Sequence, residues 1–278
     1  MTEDIKDRVY PFKSPGSQRE VQELFDAKRI KNITAGKAAL TSGEYRPFVG
    51  FSKEGMDKLF VLELELDEES RQIIKERVTE PMESITSNLG ISEIIFAGTG
   101  DQEPHVTLHV GRFDNMTPER QEKIRQWLAE GSGEKGEHMS HLRWAADILV
   151  GLKFDIDTVV CSGRDTYICA GEAEGNQGAT YRVRRIFERV LERAQKKFAT
   201  SEEEKIAPHY PRYDDIFHAS VARFTGEVKP AKLTVFRERV NNKIGEDLKE
   251  NPITIEIKAA NLIIATQGVQ KRKPELLT

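Results

Sequence analysis

The clearest pattern along the chain is in KLFVLELEL, near position 60, where the apolar Phe60, Leu62, Leu64 and Leu66 alternate with Val61, Glu63 and Glu65. Leu62, Leu64 and Leu66 are separated by Glu63 and Glu65. Successive side chains of a β-strand point to opposite faces, so this period of two predicts a strand with one buried face.

Helical periodicity follows this strand, with Asp67 as the expected N-cap of the segment DEESRQIIKERVTEPMESI. Further helices are predicted for 117–130, which Thr117 and Pro118 open, for 180–199 and for about 230–249. The helix 180–199 has an apolar stripe at helical spacing, formed by Val183, Ile186, Phe187, Val190, Leu191 and Ala194.

Further strands are predicted wherever short β-prone apolar runs occur between turn residues. These runs are SEIIFAG, EPHVTLHVGRF, the two halves of FDIDTVVCSGRDTYICAGEA, IFHASVARF and NPITIEIKAANLIIAT. Each half of the chain therefore holds helices, flanking strands and one strand with a histidine. The pattern predicts an α+β fold with a bilobal, pseudo-duplicated body, in which each lobe is an antiparallel sheet packed by helices.

The domain organisation follows from where this periodicity begins and ends. Residues 1–55, rich in Gly, Pro, Lys and Ser, are expected to form an N-terminal extension, and 56–268 the two-lobed domain. Residues 269–278 are expected to be a C-terminal tail. The Gly/Glu loop 131–138 is the expected point of exchange between the lobes.

Composition narrows the possible classes of protein. The chain has 278 residues, 38% hydrophobic and 32% charged, which is enough to bury a real core. A net charge of −4 argues against a protein whose whole surface binds nucleic acid, although a local basic groove remains open. No apolar run approaches the ~18–20 residues of a membrane helix, and the N-terminus is charged, so the expected location is the cytoplasm, away from membranes.

The chain contains two cysteines, Cys161 and Cys169. A pair of cysteines in an intracellular chain is expected to be reduced. Because the two flank a predicted hairpin turn, they could also lie opposite each other.

The candidate chemistry lies in two short stretches, PHVTLHV and FHASVAR. Residues i and i+2 of a strand share a face, so His105 projects with Thr107, and His218 with Ser220. If the lobes face each other, two imidazoles and two hydroxyls meet in one cleft. One neutral and one protonated imidazole can take and give a proton near neutral pH, while hydroxyls hold phosphate oxygens. The set suits phosphodiester chemistry without a metal ion.

A His-x-Ser/Thr pair alone is a short pattern that occurs by chance. His138 and Ser140 also fit it, but they follow the Gly/Glu loop and lead into a segment of helical character, where i and i+2 do not share a face. The other two pairs differ because β-prone apolar residues flank them and because they occupy equivalent places in the two halves. A single histidine of this kind is more often structural; two matched ones favour catalysis.

The two stretches PHVTLHV and FHASVARF resemble the paired His-x-Thr/Ser motifs of the 2H phosphoesterase superfamily. The resemblance extends over roughly residues 56–268, including the opening KLFVLELELDEESRQII, Arg223-Phe224 after the second motif, and the closing ITIEIKAANLIIAT. It implies a bilobal fold with a central cleft, and no metal or cofactor. It also implies action on 2′,3′-cyclic phosphates or related 2′-linked phosphodiesters of RNA or nucleotides.

By this resemblance, His105 and His218 are the expected acid and base, and Thr107 and Ser220 hold the phosphate. His218 is expected to activate water and His105 to protonate the leaving oxygen. The expected partner is a nucleotide or an RNA end, in RNA processing, and the expected state is a monomer. The N-terminal extension and the Gly/Glu loop lie outside the resemblance, so it does not name the substrate.

Three further residues are candidates for binding the substrate. Arg223 follows Ser220 on the same strand and is expected to share its face and contact phosphate; a surface ion pair is the alternative. Tyr210 and Tyr213, just before the second motif, could stack on a base or simply pack in a loop.

The arginine-rich helix 180–199 has two interpretations. It carries Arg182, Arg184, Arg185, Arg189 and Arg193. The favoured interpretation is a solvated face, paired with Glu188 and Glu192. The other is a helix that borders the cleft and attracts a polyanion.

A metal site is the alternative chemistry. On a strand, His105 and His109 would be about 13 Å apart, too far for one zinc ion. His138 and His141 could share a helix face but have no evident third ligand. Two other classes of protein remain open: a non-catalytic protein that binds a nucleotide or an RNA end in the same cleft, and a purely structural protein.

Overall fold

The computed structural model describes residues 59–97, 104–130, 148–161, 165–172, 179–208, 217–264 and 274–276, with the separate positions 27, 30, 31, 34 and 38. Most of the predicted N-terminal extension and the whole loop 131–138 lie outside these ranges, and so do Tyr210 and Tyr213.

The strands are β1 (Leu59–Leu66), β2 (Ile94–Phe96), β3 (His105–Asp114), β4 (Lys153–Cys161), β5 (Asp165–Glu172), β6 (Lys205–Pro208), β7 (Phe217–Phe224), β8 (Ile253–Ile264) and β9 (Pro274–Leu276). The helices are α1 (Glu68–Ile74), α2 (Glu80–Leu89), α3 (Pro118–Glu130), α4 (Ala179–Phe198), α5 (Pro230–Val240) and α6 (Glu246–Glu250). A π-helical turn joins α1 to α2 at Lys75–Thr79, and another joins α5 to α6 at Asn241–Gly245. The predicted strands and helices are thus present. In addition, β6 lies between the predicted helix 180–199 and the second histidine strand, and β9 lies in the predicted C-terminal tail.

Local chemistry sets the ends of several helices. The side chain of Asp67 accepts a hydrogen bond from the Ser70 N–H at 2.8 Å, which confirms it as the N-cap of α1. Gly90 ends α2 with φ of 58°, a left-handed conformation that glycine adopts at low cost. Pro118 begins α3. Proline has no N–H, but the first N–H groups of a helix have no partner within the helix, so no helical hydrogen bond is lost.

The strands form an antiparallel sheet in the order β2-β7-β5-β4-β8-β1-β3-β6, and β9 adds to β8. This order divides into two groups of four, β2-β7-β5-β4 and β8-β1-β3-β6, which the pairing of β4 with β8 joins. The histidine-bearing strands β7 and β3 are each second from an end. The α+β class and its two similar antiparallel halves are confirmed. Each half takes strands from both sides of residues 131–138.

The two ends of the sheet also meet. Val106 of β3 pairs with Ala219 of β7, so the sheet curls until its second and second-last strands are hydrogen-bonded neighbours. A curled sheet has one face towards the helices and one face turned away from them. The distribution of buried side chains shows which residues belong to each face.

The core lies between the helices and one face of the sheet. Leu62, Leu64 and Leu66 of β1 are at most 3% exposed, as the alternation predicts. The predicted apolar stripe of α4 is buried as well, and α4 packs against β3 and β6. Full burial of one such side chain stabilises a fold by about 1.5–3 kcal/mol, so these elements are held firmly against β3.

The possibility that the cysteines lie opposite each other is wrong. Cys161 pairs with Thr166 in the β4–β5 register, and Cys169 pairs with Thr158. Cys161 is buried and carries no disulfide. None of the helices in the described ranges combines the length and the apolar composition that crossing a bilayer requires.

Candidate functional site

The two histidine strands have the same pattern of burial. In β3, His105 and Thr107 are partly exposed, whereas Val106 is 0% exposed. In β7, His218 and Ser220 are partly exposed and Ala219 is 2% exposed. The imidazole and hydroxyl side chains therefore lie on the sheet face away from the helices.

The pairing of Val106 with Ala219 brings these two strands together. Residues that pair across a ladder share a face, and their neighbours project from the other face. By regular antiparallel geometry His105 lies beside Ser220, and Thr107 beside His218. The two histidines are diagonal neighbours, and the Cα atoms of such neighbours are about 7–8 Å apart in a regular ladder. Both imidazoles are then within reach of one phosphate group.

Each histidine strand also contains a β-bulge directly after its hydroxyl residue. In the β1–β3 pairing, Leu62 pairs with His109 and Glu63 with Thr107, so Leu108 is the extra residue. Bulges bend a strand and redirect its side chains, and they are frequent beside functional sites.

The bulge in β7 has the corresponding position. Thr166 pairs with Ala222 and Tyr167 with Ser220, which makes Val221 the extra residue. Its carbonyl oxygen accepts the N–H of Ala97 at 2.9 Å. The two motifs thus share a β-bulge directly after the hydroxyl residue, which their residue types do not indicate.

The β7 bulge decides the orientation of Arg223. Arg223 is three residues beyond Ser220, so a regular strand would put the two on opposite faces. With Val221 as the extra residue, the alternation shifts by one. Val221 and Ala222 are both buried, and Arg223 is partly exposed like Ser220. Any shared face of Arg223 and Ser220 thus depends on the bulge and not on the regular alternation of the strand. The β5–β7 register places Asp165 opposite Arg223.

Arg184 stabilises the bulge in β3. It is 3% exposed, and its Nε donates to the Leu108 carbonyl oxygen at 3.0 Å. The interpretation of the arginines as a solvated face is correct for Arg189 and Arg193, which are exposed, and wrong for Arg184. The physical reason is that a carbonyl released from a ladder needs a donor, and a guanidinium on the buried side supplies it.

A carboxylate lies beside the first histidine. Glu63 Oε2 is 3.4 Å from His105 Nε2, and the two side chains are 14% and 26% exposed. Glu63 is the register partner of Thr107 and shares its accessible face. When His105 is protonated, this contact is an ion pair.

Hydrogen bonds and an ion pair around Glu204, directly before β6, join the helices α3 and α4. Glu204 is buried and bonds to Arg120 of α3 and to the N–H and hydroxyl of Thr200, which follows α4. The Thr200 N–H, 2.7 Å away, is the main cause that lowers the pKa of Glu204 below 4.5. Gln195 donates to the Glu204 carbonyl at 2.7 Å, which ties α4 to the start of β6.

Several predicted residues lie outside the structural description. Tyr210, Tyr213, His138 and His141 are among them, so their roles stay predictions. Within the described ranges, no group of three His, Cys, Asp or Glu side chains is arranged to hold a metal ion. His105 does lie on a strand, as the argument against a shared zinc with His109 assumed.

Sequence reasoning missed two residues that contact the histidine strands. Arg184 precedes Phe187 by three positions and Leu191 by seven, which places it on the apolar stripe of α4. This position in the sequence indicates that Arg184 faces the core. Glu63 was visible as a polar position on a strand, but the sequence does not say which strand pairs with it.

No protein-family model matches the chain, and no curated protein matches it. Among solved structures, the chain is similar to Kluyveromyces marxianus Usb1, with a TM-score of 0.43 and 13% identity over 79% of this chain and 98% of that chain. It is also similar to Kluyveromyces marxianus Usb1 with uridine monophosphate, with a TM-score of 0.46 and 13% identity over 80% of this chain and 99% of that chain.

Proposed function

We propose that this protein is a phosphodiesterase that works without a metal ion on 2′,3′-cyclic phosphates, or related 2′-linked phosphodiesters, of RNA or nucleotides. The observation that supports the proposal is the pairing of Val106 with Ala219, whose neighbours on both strands are the four proposed site residues. The resemblance of both motifs to the 2H phosphoesterase superfamily agrees with it. Their partial exposure leaves them accessible to a substrate.

In the proposed reaction, His218 takes a proton from water while the water oxygen attacks phosphorus. The bond from phosphorus to one ribose oxygen breaks, and His105 gives that oxygen a proton, so a phosphate monoester and a hydroxyl result. The hydroxyls of Thr107 and Ser220 donate hydrogen bonds to the non-bridging oxygens, where negative charge builds up. His218 then loses a proton and His105 regains one by exchange with solvent.

The proposed roles of the remaining residues concern binding. Arg223 contacts the phosphate through its guanidinium, whose planar donors suit phosphate oxygens. Tyr210 and Tyr213 stack on a base of the nucleotide or RNA end. The protein is proposed to act as a monomer in the cytoplasm.

The test is turnover of the four 2′,3′-cyclic nucleotides and of short RNAs with 2′,3′-cyclic ends, in the presence of EDTA. We expect turnover by the wild type and a loss of about 10²–10⁴-fold in both His105→Ala and His218→Ala, the usual contribution of a general acid or base. The matched control is His138→Ala, because His138 also precedes a serine by two positions but lies outside the proposed site.

Three outcomes would contradict the proposal. Undiminished turnover in either histidine variant would exclude the acid–base pair. Turnover that EDTA removes and a divalent metal restores would exclude the metal-independent chemistry. Tight binding of a cyclic nucleotide or RNA end without any turnover would favour the alternative, a non-catalytic protein that retains the cleft.

A further inference from the structure

Glu63 and Glu65 flank His105 from the neighbouring strand, and they differ in their contacts. Glu65 is the register partner of His105, and Glu63 is two positions away. Nevertheless, Glu63 is the carboxylate that approaches the imidazole, with Oε2 3.4 Å from Nε2. The ring therefore leans along the strand, away from its direct neighbour.

The contacts of Glu65 explain this preference. Its Oε1 lies 3.1 Å from Lys258 Nζ and 3.6 Å from Arg71 Nη1. Lys258 is thus the nearer cation of Glu65, because Arg71 is bonded to Glu68 at 2.6 Å. The side chain of Glu65 is 32% exposed. Glu63 is only 14% exposed, and water screens a charge less at a site with less exposure.

We propose that Glu63 is a positioning residue for His105, and that it makes His105 the proton donor of the pair. The inference rests on the proposed function and deepens it, because it assigns unlike roles to two histidines in similar settings. A protonated imidazole has two N–H groups. In this arrangement Nε2–H donates to Glu63, and Nδ1–H gives its proton to the leaving oxygen.

The carboxylate acts in two ways. It holds the ring in one orientation, and it keeps the remaining hydrogen on Nε2 once the proton has been transferred, because the bond made by one ring nitrogen decides the state of the other. Its negative charge also balances the positive charge of a protonated imidazole in a site that holds a second histidine.

The groups that face this pair come from each neighbouring element. On the accessible face they are Glu65 of β1, Thr107 of β3, Ser220 and His218 of β7, and, further along β7, Arg223. Arg71 of α1 and Lys258 of β8 lie against Glu65. Lys258 is engaged with Glu65, and Arg71 with Glu68 and Glu65. The carboxylate beside the ring of His105 is that of Glu63.

The experiment compares Glu63→Gln with Glu65→Gln, two identical substitutions on one strand and one face. We expect kcat to fall about 10–100-fold in Glu63→Gln with KM within about threefold, which is part of the usual effect of a general acid. The limb of the pH profile that requires a protonated acid should move to lower pH. Glu65→Gln should keep the wild-type kcat within about threefold and the same limb.

A conservative variant separates the charge from the fit. Glu63→Asp keeps the charge but shortens the side chain, so the position of that limb should be retained while kcat falls. Wild-type kcat and pH profile in Glu63→Gln would overturn the inference and leave the proposed function standing. Equal effects of Glu63→Gln and Glu65→Gln would overturn it too, because a general loss of negative charge would then explain both.

A second readout does not depend on turnover. Nitrogen-15 NMR of the histidine rings reports which nitrogen carries hydrogen. We expect neutral His105 to carry it on Nε2 in the wild type and in Glu65→Gln, and to become a mixture of both forms in Glu63→Gln. If the wild type turns over no substrate, the proposed function fails, but the NMR measurement still tests the contact between Glu63 and His105. Unchanged His105 signals in Glu63→Gln would overturn the positioning role of Glu63.

Discussion

Val106 of β3 and Ala219 of β7 are register partners, and this pair joins the two histidine strands. Both residues are buried against the helices, so the residues on either side of each project together from the opposite face. The separation of the proposed acid and base therefore depends on how closely these two strands approach.

A larger residue at position 219 should separate the strands. Ala219 is 2% exposed, and adding three carbon atoms with Ala219→Leu should destabilise the fold by about 1–3 kcal/mol through overpacking. Urea unfolding measures this loss, and kcat on a cyclic nucleotide should fall as well. Ala231→Leu, at an exposed position at the start of α5, is the control and should change neither. Unchanged stability and kcat in Ala219→Leu would contradict close packing at this pair.

The two hydroxyls should contribute to the proposed reaction separately from the imidazoles. Removing them with Thr107→Val and Ser220→Ala should lower kcat/KM by about 10–100-fold each, because one hydrogen bond to a charged phosphate oxygen is lost. Steady-state kinetics on a 2′,3′-cyclic nucleotide measures this. Thr225→Val, at an exposed position after β7, should remain within about twofold of the wild type. Equal rates in all three variants would remove the hydroxyls from the mechanism.

The proposed pair of imidazoles predicts a bell-shaped dependence of kcat/KM on pH. One ring must be neutral to accept a proton and the other protonated to donate one, and imidazoles titrate near neutral pH, at about 6.5 when unperturbed. The rate should therefore fall on both sides of a maximum. A rate that rises to a plateau at high pH would show that no protonated group is required.

Arg184 should matter for stability through the bulge in β3. In Arg184→Met the buried Leu108 carbonyl loses the Nε donor, which should cost about 1–3 kcal/mol in the free energy of unfolding. Arg189→Met, an exposed arginine of the same helix, should remain within about 0.5 kcal/mol of the wild type. Chemical denaturation of both variants is the measurement. Similar values for the two would mean that Arg184 does not support the strand.

Glu204 should make the fold sensitive to acid. The Thr200 N–H lowers the pKa of Glu204 in the folded chain below 4.5, the ordinary pKa of a glutamate. The stability that the Glu204 carboxylate contributes is therefore fully present above pH 4.5. That contribution is lost as pH falls through the lower pKa of the folded state. In Glu204→Gln this part of the acid dependence should be absent, so wild type and variant should differ most above about pH 5 and converge below it.

The control for this prediction is Glu203→Gln, since Glu203 is exposed and adjacent in sequence. Its unfolding midpoint should follow the wild type at every pH. A constant difference between Glu204→Gln and the wild type from neutral to strongly acidic pH would show that the charge of Glu204 is not what stabilises the network.

The sequence by itself determined most of the local structure. The alternation around Leu64 predicted β1, Asp67 predicted the start of α1, and the stripe from Val183 to Ala194 predicted the buried face of α4. These features depend on neighbours within a few residues, which the sequence displays directly. The sequence determined in the same way that His105 lies on the same strand face as Thr107, and His218 on the same strand face as Ser220.

Only the tertiary structure decided which strands become neighbours and where they are irregular. Nothing near Val106 in the sequence indicates Ala219 as its partner, and nothing in the motifs indicates that Leu108 and Val221 are extra residues. The face of Arg223 follows from one of those bulges. The physical reason is that a strand leaves its backbone hydrogen bonds to be made by another segment, so its register is settled by packing of distant residues.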